Sequence, residues 1–264
     1  MIEHPAWMST DAGCQRIVRT ATGTWLVRAE ALRGITLACI EGSEDDKPTV
    51  LAITPDQLPQ GAPAELRSAL AGLETVERLA NPSLWDALTT AILRQVVRAG
   101  QARKLYRDWC ATHGAPAGGG ATVPEPQTVL ALRDKEFAAV GAKFHCAKLK
   151  AAAAAYLDHG PRWSQMSADD LVDALQQVPG IGPWTARAAA ADFTGDFSVY
   201  PHGDLAVRTW ASKAAPDCTW REGERAFAAA WRSYAATAAQ LSALTLFTLT
   251  WGSNDRTDHL PDTP

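Results

Sequence analysis

The spacing of apolar residues changes character near residue 80. Before it, short β-branched and aromatic runs alternate with polar positions and are broken by Gly and Pro: CQRIVRTATGTWLVRAE, GITLACIEG and PTVLAI. That period of two predicts an antiparallel sheet. From NPSLWDALTTAILRQVVRAGQARKLYRDW onward the period lengthens, and Leu84, Leu88, Ile92 and Val96 form one apolar stripe at helical spacing. Ser83 followed by Asp86 predicts a capping box at the start of that helix. The stretch HGAPAGGGATVPEP cannot continue a helix, and PQTVLALRDKEFAAVG and CAKLKAAAAAYLDHG follow as further helical elements. SADDLVDALQQV opens on a second capping box, Ser167 with Asp170, and runs straight into VPGIGPWTA. The rest reads as helix until SNDRTDHLPDTP, a polar, frayed tail from about residue 253. The expectation is a mainly α protein, with an N-terminal antiparallel β-rich (α+β) domain over residues 1–80 and a helical core over 81–264.

With 264 residues and 47% hydrophobic content the chain can bury a full core. No apolar run is long enough for a bilayer, and MIEHPAWMSTDAG lacks the basic-then-apolar pattern of a signal peptide, so a cytoplasmic protein without membrane contact is expected. The five cysteines, Cys14, Cys39, Cys110, Cys146 and Cys218, include no close pair, and the six histidines show no ligand spacing. No metal centre is expected. The net charge of -4 conceals polarity along the chain: Thr90 to Lys150 holds ten basic and four acidic residues, the remainder 15 basic and 25 acidic. A basic middle is compatible with an anionic partner, but charge alone favours solvated helix faces.

The turn at VPGIGPWTA carries more chemistry. Gly180 and Gly182 permit backbone conformations and close approaches that a Cβ would block, and Pro183 has its φ preset for the first turn of the next helix. Bare amides at a helix N-terminus, with the positive end of the dipole behind them, suit an anion such as a DNA phosphate without any Lys or Arg. Such contact carries no sequence information. An ordinary tight corner between two helices is the other reading of the same glycines. Downstream, GDFSVYPHGDLAVRTWA ends a loop and begins a helix, placing Asp204 at or beside its N-cap, where the dipole favours a carboxylate.

Helix, apolar-Pro-Gly-apolar-Gly, helix is the helix-hairpin-helix motif, complete in LQQVPGIGPWTARAAA, and Asp204 follows its first glycine by 24 residues. In these features the chain resembles the HhH-GPD superfamily of DNA glycosylases over about Leu84 to Tyr234, including AILRQVV, YPHGDLAVR and AWRSYA. It looks most like the 3-methyladenine (alkylpurine) branch, whose members often carry an N-terminal sheet domain. The resemblance implies a helical core with a cleft between two halves, double-stranded DNA containing damaged bases as partner, and a monomer. It implies base excision: the nucleotide is flipped out of the duplex and its N-glycosidic bond hydrolysed through an oxocarbenium-like transition state. Asp204 would stabilise that cation and orient or deprotonate the water.

Related enzymes that also nick the strand carry Lys after the position of Pro183, as a Schiff-base nucleophile. Here that residue is Trp184, which implies a monofunctional enzyme with the indole stacking on the extruded base; filling the core between two helices is its bland alternative. Tyr200, His202 and Gln95 would line the base pocket, although His202 also reads as a plain surface side chain. DNA contacts fall on Val178, Gly180, Ile181, Gly182 and Thr185 of the hairpin. Val96 sits where relatives insert an apolar wedge, or else packs in the core with its stripe. Arg208 would touch phosphate or pair with an acid, and Trp231, Arg232 and Tyr234 anchor a helix. No cofactor is implied beyond a monovalent cation on the hairpin carbonyls.

The chain departs from the alkylpurine pattern at Ala188 and Gln240, where aromatics are expected around the pocket. The four-cysteine cluster of the adenine-mismatch and thymine-glycol branches is absent, since only Cys218 follows Asp204. A non-catalytic DNA-binding or damage-sensing protein that keeps the hairpin is the competing reading, and Asp204 discriminates between the two.

Overall fold

The computed structural model describes residues 4–30, 33–95 and 97–257. In chain order it contains strands β1 (Met8–Thr10), β2 (Gly13–Arg19), β3 (Gly23–Glu30), β4 (Gly34–Gly42) and β5 (Val50–Ile53), helix α1 (Ala64–Ala71) and strand β6 (Val76–Leu79). Then come α2 (Leu84–Leu93), α3 (Ala99–His113), the two-residue strands β7 (Pro116–Ala117) and β8 (Gly120–Ala121), α4 (Pro126–Ala131), α5 (Asp134–Ala139) and α6 (Cys146–Trp163). The chain closes with α7 (Ala168–Gln176), α8 (Pro183–Thr194), α9 (Leu205–Ala214), α10 (Glu224–Ser233) and α11 (Ala238–Thr257). Among the described residues no helix is long and apolar enough to cross a membrane.

The predicted class holds, with local corrections. β1 to β4 form an antiparallel meander, but the third predicted run, at β5, leaves that sheet and pairs with β6. PQTVLALRDKEFAAVG breaks into α4 and α5, because Leu132 is extended and Glu136 reaches back to accept from the Arg133 backbone N–H at 2.7 Å. The helix beginning at Leu84 ends at Leu93, and Val96, the last residue of the predicted stripe, lies outside the described residues. The tail expected from 253 is helical as far as Thr257.

The chain forms two compact units and crosses between them at 50/51, 78/79 and 195/196. The four-stranded sheet groups with 79–195, whereas residues 51–78 group with those from 196 onward.

In the sheet unit, β2 alternates between exposed and buried positions, and its inward face carries Cys14, Arg16 and Val18. An arginine belongs in that row because Asp86 meets it: Nη2 lies 2.9 Å from Asp86 Oδ2. Asp86 was expected to complete a capping box with Ser83. Its own N–H does bond the Ser83 hydroxyl at 3.2 Å, but its carboxylate turns inward instead, accepting from Arg16, Asn81 and the Tyr106 hydroxyl. A buried carboxylate needs such partners, and here it finds a full set. α2 is buried along its whole length and Asn81 ties its start to Asp192 at the end of α8, through Nδ2 to Oδ2 at 2.9 Å.

The other unit is built around α11. Within this helix Ser242 to Thr250 are buried without a break, the mark of a core helix. The hydroxyls of Thr245, Thr248 and Thr250 return to the carbonyls one turn back, which satisfies these three buried groups. Trp231 of α10 packs against Phe227 and Trp220 and donates to Thr245 Oγ1 at 3.1 Å, which fulfils its expected role as a helix anchor. Gly252 of α11 lies so close to Trp210 of α9 that a Cβ would sit 2.1 Å from the indole.

Candidate active site

The hairpin belongs to the sheet unit. Ser167 caps α7 through a bond from the Asp170 N–H at 3.2 Å, and the helix ends at Gln176 with its buried Leu171, Val172 and Leu175 facing the core. Val178 and Ile181 continue that burial and are pinned to each other by a turn, Ile181 N–H to Val178 C=O at 3.0 Å. Their side chains anchor the hairpin inward, leaving only their backbone for a ligand. Gly180 adopts φ +84°, in the left-handed region that favours glycine. Gly182 does not: its φ is -85° and a Cβ there would meet nothing within 4 Å. The chain itself therefore gives no steric reason for glycine at 182.

Gly182 is the N-cap of α8, Pro183 its first residue, and no side chain caps it. The Trp184 and Thr185 amides thus begin a helix of 12 residues at its positive end. Trp184 is half-buried on this first turn. Thr185 is buried and its hydroxyl accepts from Gln95 Nε2, so its side chain serves the interior of the protein. Gln95, in the turn after α2, also accepts from Lys148 Nζ. Lys148 escaped notice in the sequence, where it was one basic residue among ten. Its place four residues after the exposed Phe144, on the first turn of a helix, was the available signal.

Asp204 belongs to the other unit. It is the N-cap of α9 as expected, yet its side chain makes no capping bond. Oδ2 instead accepts from the Tyr200 hydroxyl at 3.0 Å. The loop before it is tightly held: Asp204 N–H bonds Pro201 C=O at 2.8 Å, and Phe197 N–H bonds Ser242 Oγ of α11 at 2.9 Å. Tyr200 stacks on Phe197 at 5.5 Å, and the Arg78 guanidinium lies 4.7 Å from the centre of the Phe197 ring. His202 is buried with Nε2 3.4 Å from the Phe197 carbonyl, so the surface reading of this residue is overturned. Arg208 Nε donates to the Gly203 carbonyl at 3.0 Å, tying the guanidinium to the loop rather than to an acid. Leu205, next to Asp204, is 66% exposed. Among the described residues no group of His, Cys, Asp and Glu has the arrangement of a metal site.

No family model matches the chain, and no curated protein matches its sequence. Its fold recurs among solved structures. The 3-methyladenine DNA glycosylase of Archaeoglobus fulgidus superposes with a TM-score of 0.72 at 15% identity, over 98% of this chain and 92% of that one. An 8-oxoguanine glycosylase/lyase of Clostridium acetobutylicum, solved with double-stranded DNA, gives 0.68 at 13% identity over 96% and 90%. The 3-methyladenine DNA glycosylase of Schizosaccharomyces pombe, solved with abasic DNA, gives 0.58 at 18% identity over 78% and 98%. The chain has the helix-hairpin-helix glycosylase fold, preceded by an antiparallel N-terminal sheet.

Proposed function

We propose that this protein is a monofunctional DNA glycosylase that extrudes damaged bases from double-stranded DNA and hydrolyses their N-glycosidic bond, with alkylated purines as its substrates. The observation that carries the reading is Asp204: a carboxylate at the start of α9 that is not spent on capping and accepts from the Tyr200 hydroxyl. The uncapped start of α8 and the open Gly182 backbone support a phosphate contact, and structural neighbours solved with DNA support the partner.

In the reaction the glycosidic electrons leave with the purine, and charge builds on the deoxyribose. Asp204 faces that charge, and takes a proton from the water whose oxygen bonds to C1′. A purine alkylated at N3 or N7 is already cationic and a good leaving group, so one carboxylate suffices. Trp184 offers a π face to the extruded cationic base and no amine for a Schiff base. A monomer working in the cytoplasm, with a monovalent cation on the hairpin carbonyls, completes the proposal.

Purified protein is expected to release 3-methyladenine or 7-methylguanine from alkylated duplex DNA, while Asp204→Asn loses release and keeps its affinity for abasic-site DNA. Undiminished release by Asp204→Asn rejects the mechanism. Tight binding without release from any damaged duplex makes the protein a damage sensor, and a covalent adduct trapped by borohydride rejects the monofunctional assignment.

A further inference from the structure

Gln95 of the turn after α2, Lys148 of α6 and Thr185 of α8 meet side chain to side chain within the sheet unit. Lys148 donates its ammonium to Gln95 Oε1, and Gln95 Nε2 donates to Thr185 Oγ1. Chemistry fixes the sense of this chain of bonds. An ammonium offers only N–H groups, so the carboxamide must turn its oxygen to Lys148, which leaves its nitrogen for Thr185. Lys148 is itself confined. Its stem packs on the hairpin, where a Cβ at Gly180 would come within 2.8 Å of Cγ, and Nζ lies 4.7 Å from the centre of the Phe144 ring. Thr185 is 2% exposed and immediately follows Trp184 on α8.

A carboxamide free to flip exchanges donor for acceptor and cannot tell an amino from an oxo group. A locked one can. After its two internal bonds Gln95 retains one N–H and one oxygen lone pair, held one residue away from the proposed stacking platform.

We propose that Lys148 is a positioning residue that sets base specificity: it holds the Gln95 carboxamide in one orientation, so that an extruded purine is read with fixed polarity at its exocyclic 6-position. The inference rests on the glycosylase reading and adds to it a lysine that touches no substrate.

The test uses the full chain with Lys148→Met, which keeps the stem on Gly180 but donates nothing, and Lys148→Arg, which keeps donors and charge. In the free protein, solvent exchange of the Gln95 side-chain NH2, identified by its loss in Gln95→Met, is expected to quicken about tenfold in Lys148→Met and to stay near wild type in Lys148→Arg. On duplex DNA carrying 3-methyladenine (6-amino) and 7-methylguanine (6-oxo), the ratio of single-turnover excision rates is expected to change about tenfold in Lys148→Met, with recovery in Lys148→Arg. The salt dependence of binding to an abasic duplex is expected to be unchanged. A salt slope reduced by about one makes Lys148 a phosphate contact and overturns the proposal. Unchanged amide exchange, or equal loss on both lesions, overturns it as well. Wild-type protein that excises neither base defeats the glycosylase reading; the amide exchange and the relative affinities for the two lesion duplexes then decide the role of Lys148 by themselves.

Discussion

The Tyr200 hydroxyl donates to Asp204 Oδ2 at 3.0 Å, and Asp204 makes no capping bond to the helix it begins. The carboxylate is thereby oriented from the side by a ring that is itself stacked on Phe197, whose backbone is fastened to Ser242 near the start of α11. A buried helix thus fixes the direction of one acidic side chain through two aromatic rings.

Tyr200→Phe keeps the stacked ring and removes only the donor. Single-turnover base release is expected to fall about tenfold, the worth of one hydrogen bond to a charged group, with the melting temperature little changed. A rate equal to wild type shows that Asp204 needs no such orientation.

Gly180 and Gly182 separate stability from binding. Gly180→Ala forces a side chain into the left-handed region against Lys148 and is expected to cost about 1–2 kcal/mol in urea unfolding. Gly182→Ala meets no atom within 4 Å and is expected to leave unfolding unchanged while weakening duplex binding about tenfold. Loss of stability in the second variant, or intact binding, refutes the backbone-contact reading of the hairpin.

Gly252→Ala is expected to destabilise by about 2–3 kcal/mol, since the new methyl lands 2.1 Å from the Trp210 indole and forces one of the two to shift. Because α9 begins at Asp204, base release is expected to fall with it. Chemical denaturation and excision assays on the one variant check both.

Alkaline stability follows from two buried groups. Burial pushes the Cys110 thiol up to about 12, from an ordinary value of 9.0, and raises the Tyr106 phenol well above its own, with Asp86 adding to both shifts. Between these limits the unfolded chain loses the Cys110 proton and the folded chain keeps it, so the unfolded state binds fewer protons and stability falls as pH rises from about 9 to 12. Below about pH 9 this contribution is fully present. Urea midpoints measured across that range are expected to decline, and less steeply in Cys110→Ala.

Local chemistry made much of this protein readable in advance. The alternation in GCQRIVR and GTWLVRAE produced β2 and β3, because side chains on an extended chain must face opposite sides. Ser83 and Ser167 cap α2 and α7 because the first amides of a helix need acceptors close by in sequence. The same locality fixed the hairpin, with Gly180 at positive φ and Pro183 opening α8, and put Asp204 at the start of α9. What remained hidden lay in partners distant along the chain. Asp86 reads as a cap and serves as the hub for Arg16, Asn81 and Tyr106; Lys148 reads as a surface charge and holds Gln95, 53 residues before it. His202 reads as a pocket residue or a plain surface side chain, and it is buried with Nε2 3.4 Å from the Phe197 carbonyl.

Sequence alone, then, determined where helices start, where glycine and proline force a turn, and which acidic residue stands at a helix end, since each is settled within about four residues by hydrogen-bond geometry and sterics. Tertiary structure decided that 51–78 groups with the segment from 196 onward, that the carboxylate of Asp204 answers to Tyr200 instead of its own helix, and that Gln95 is locked. Those outcomes depend on which buried polar groups find one another once apolar surface has been removed from water, and no pattern along a chain encodes that choice by itself.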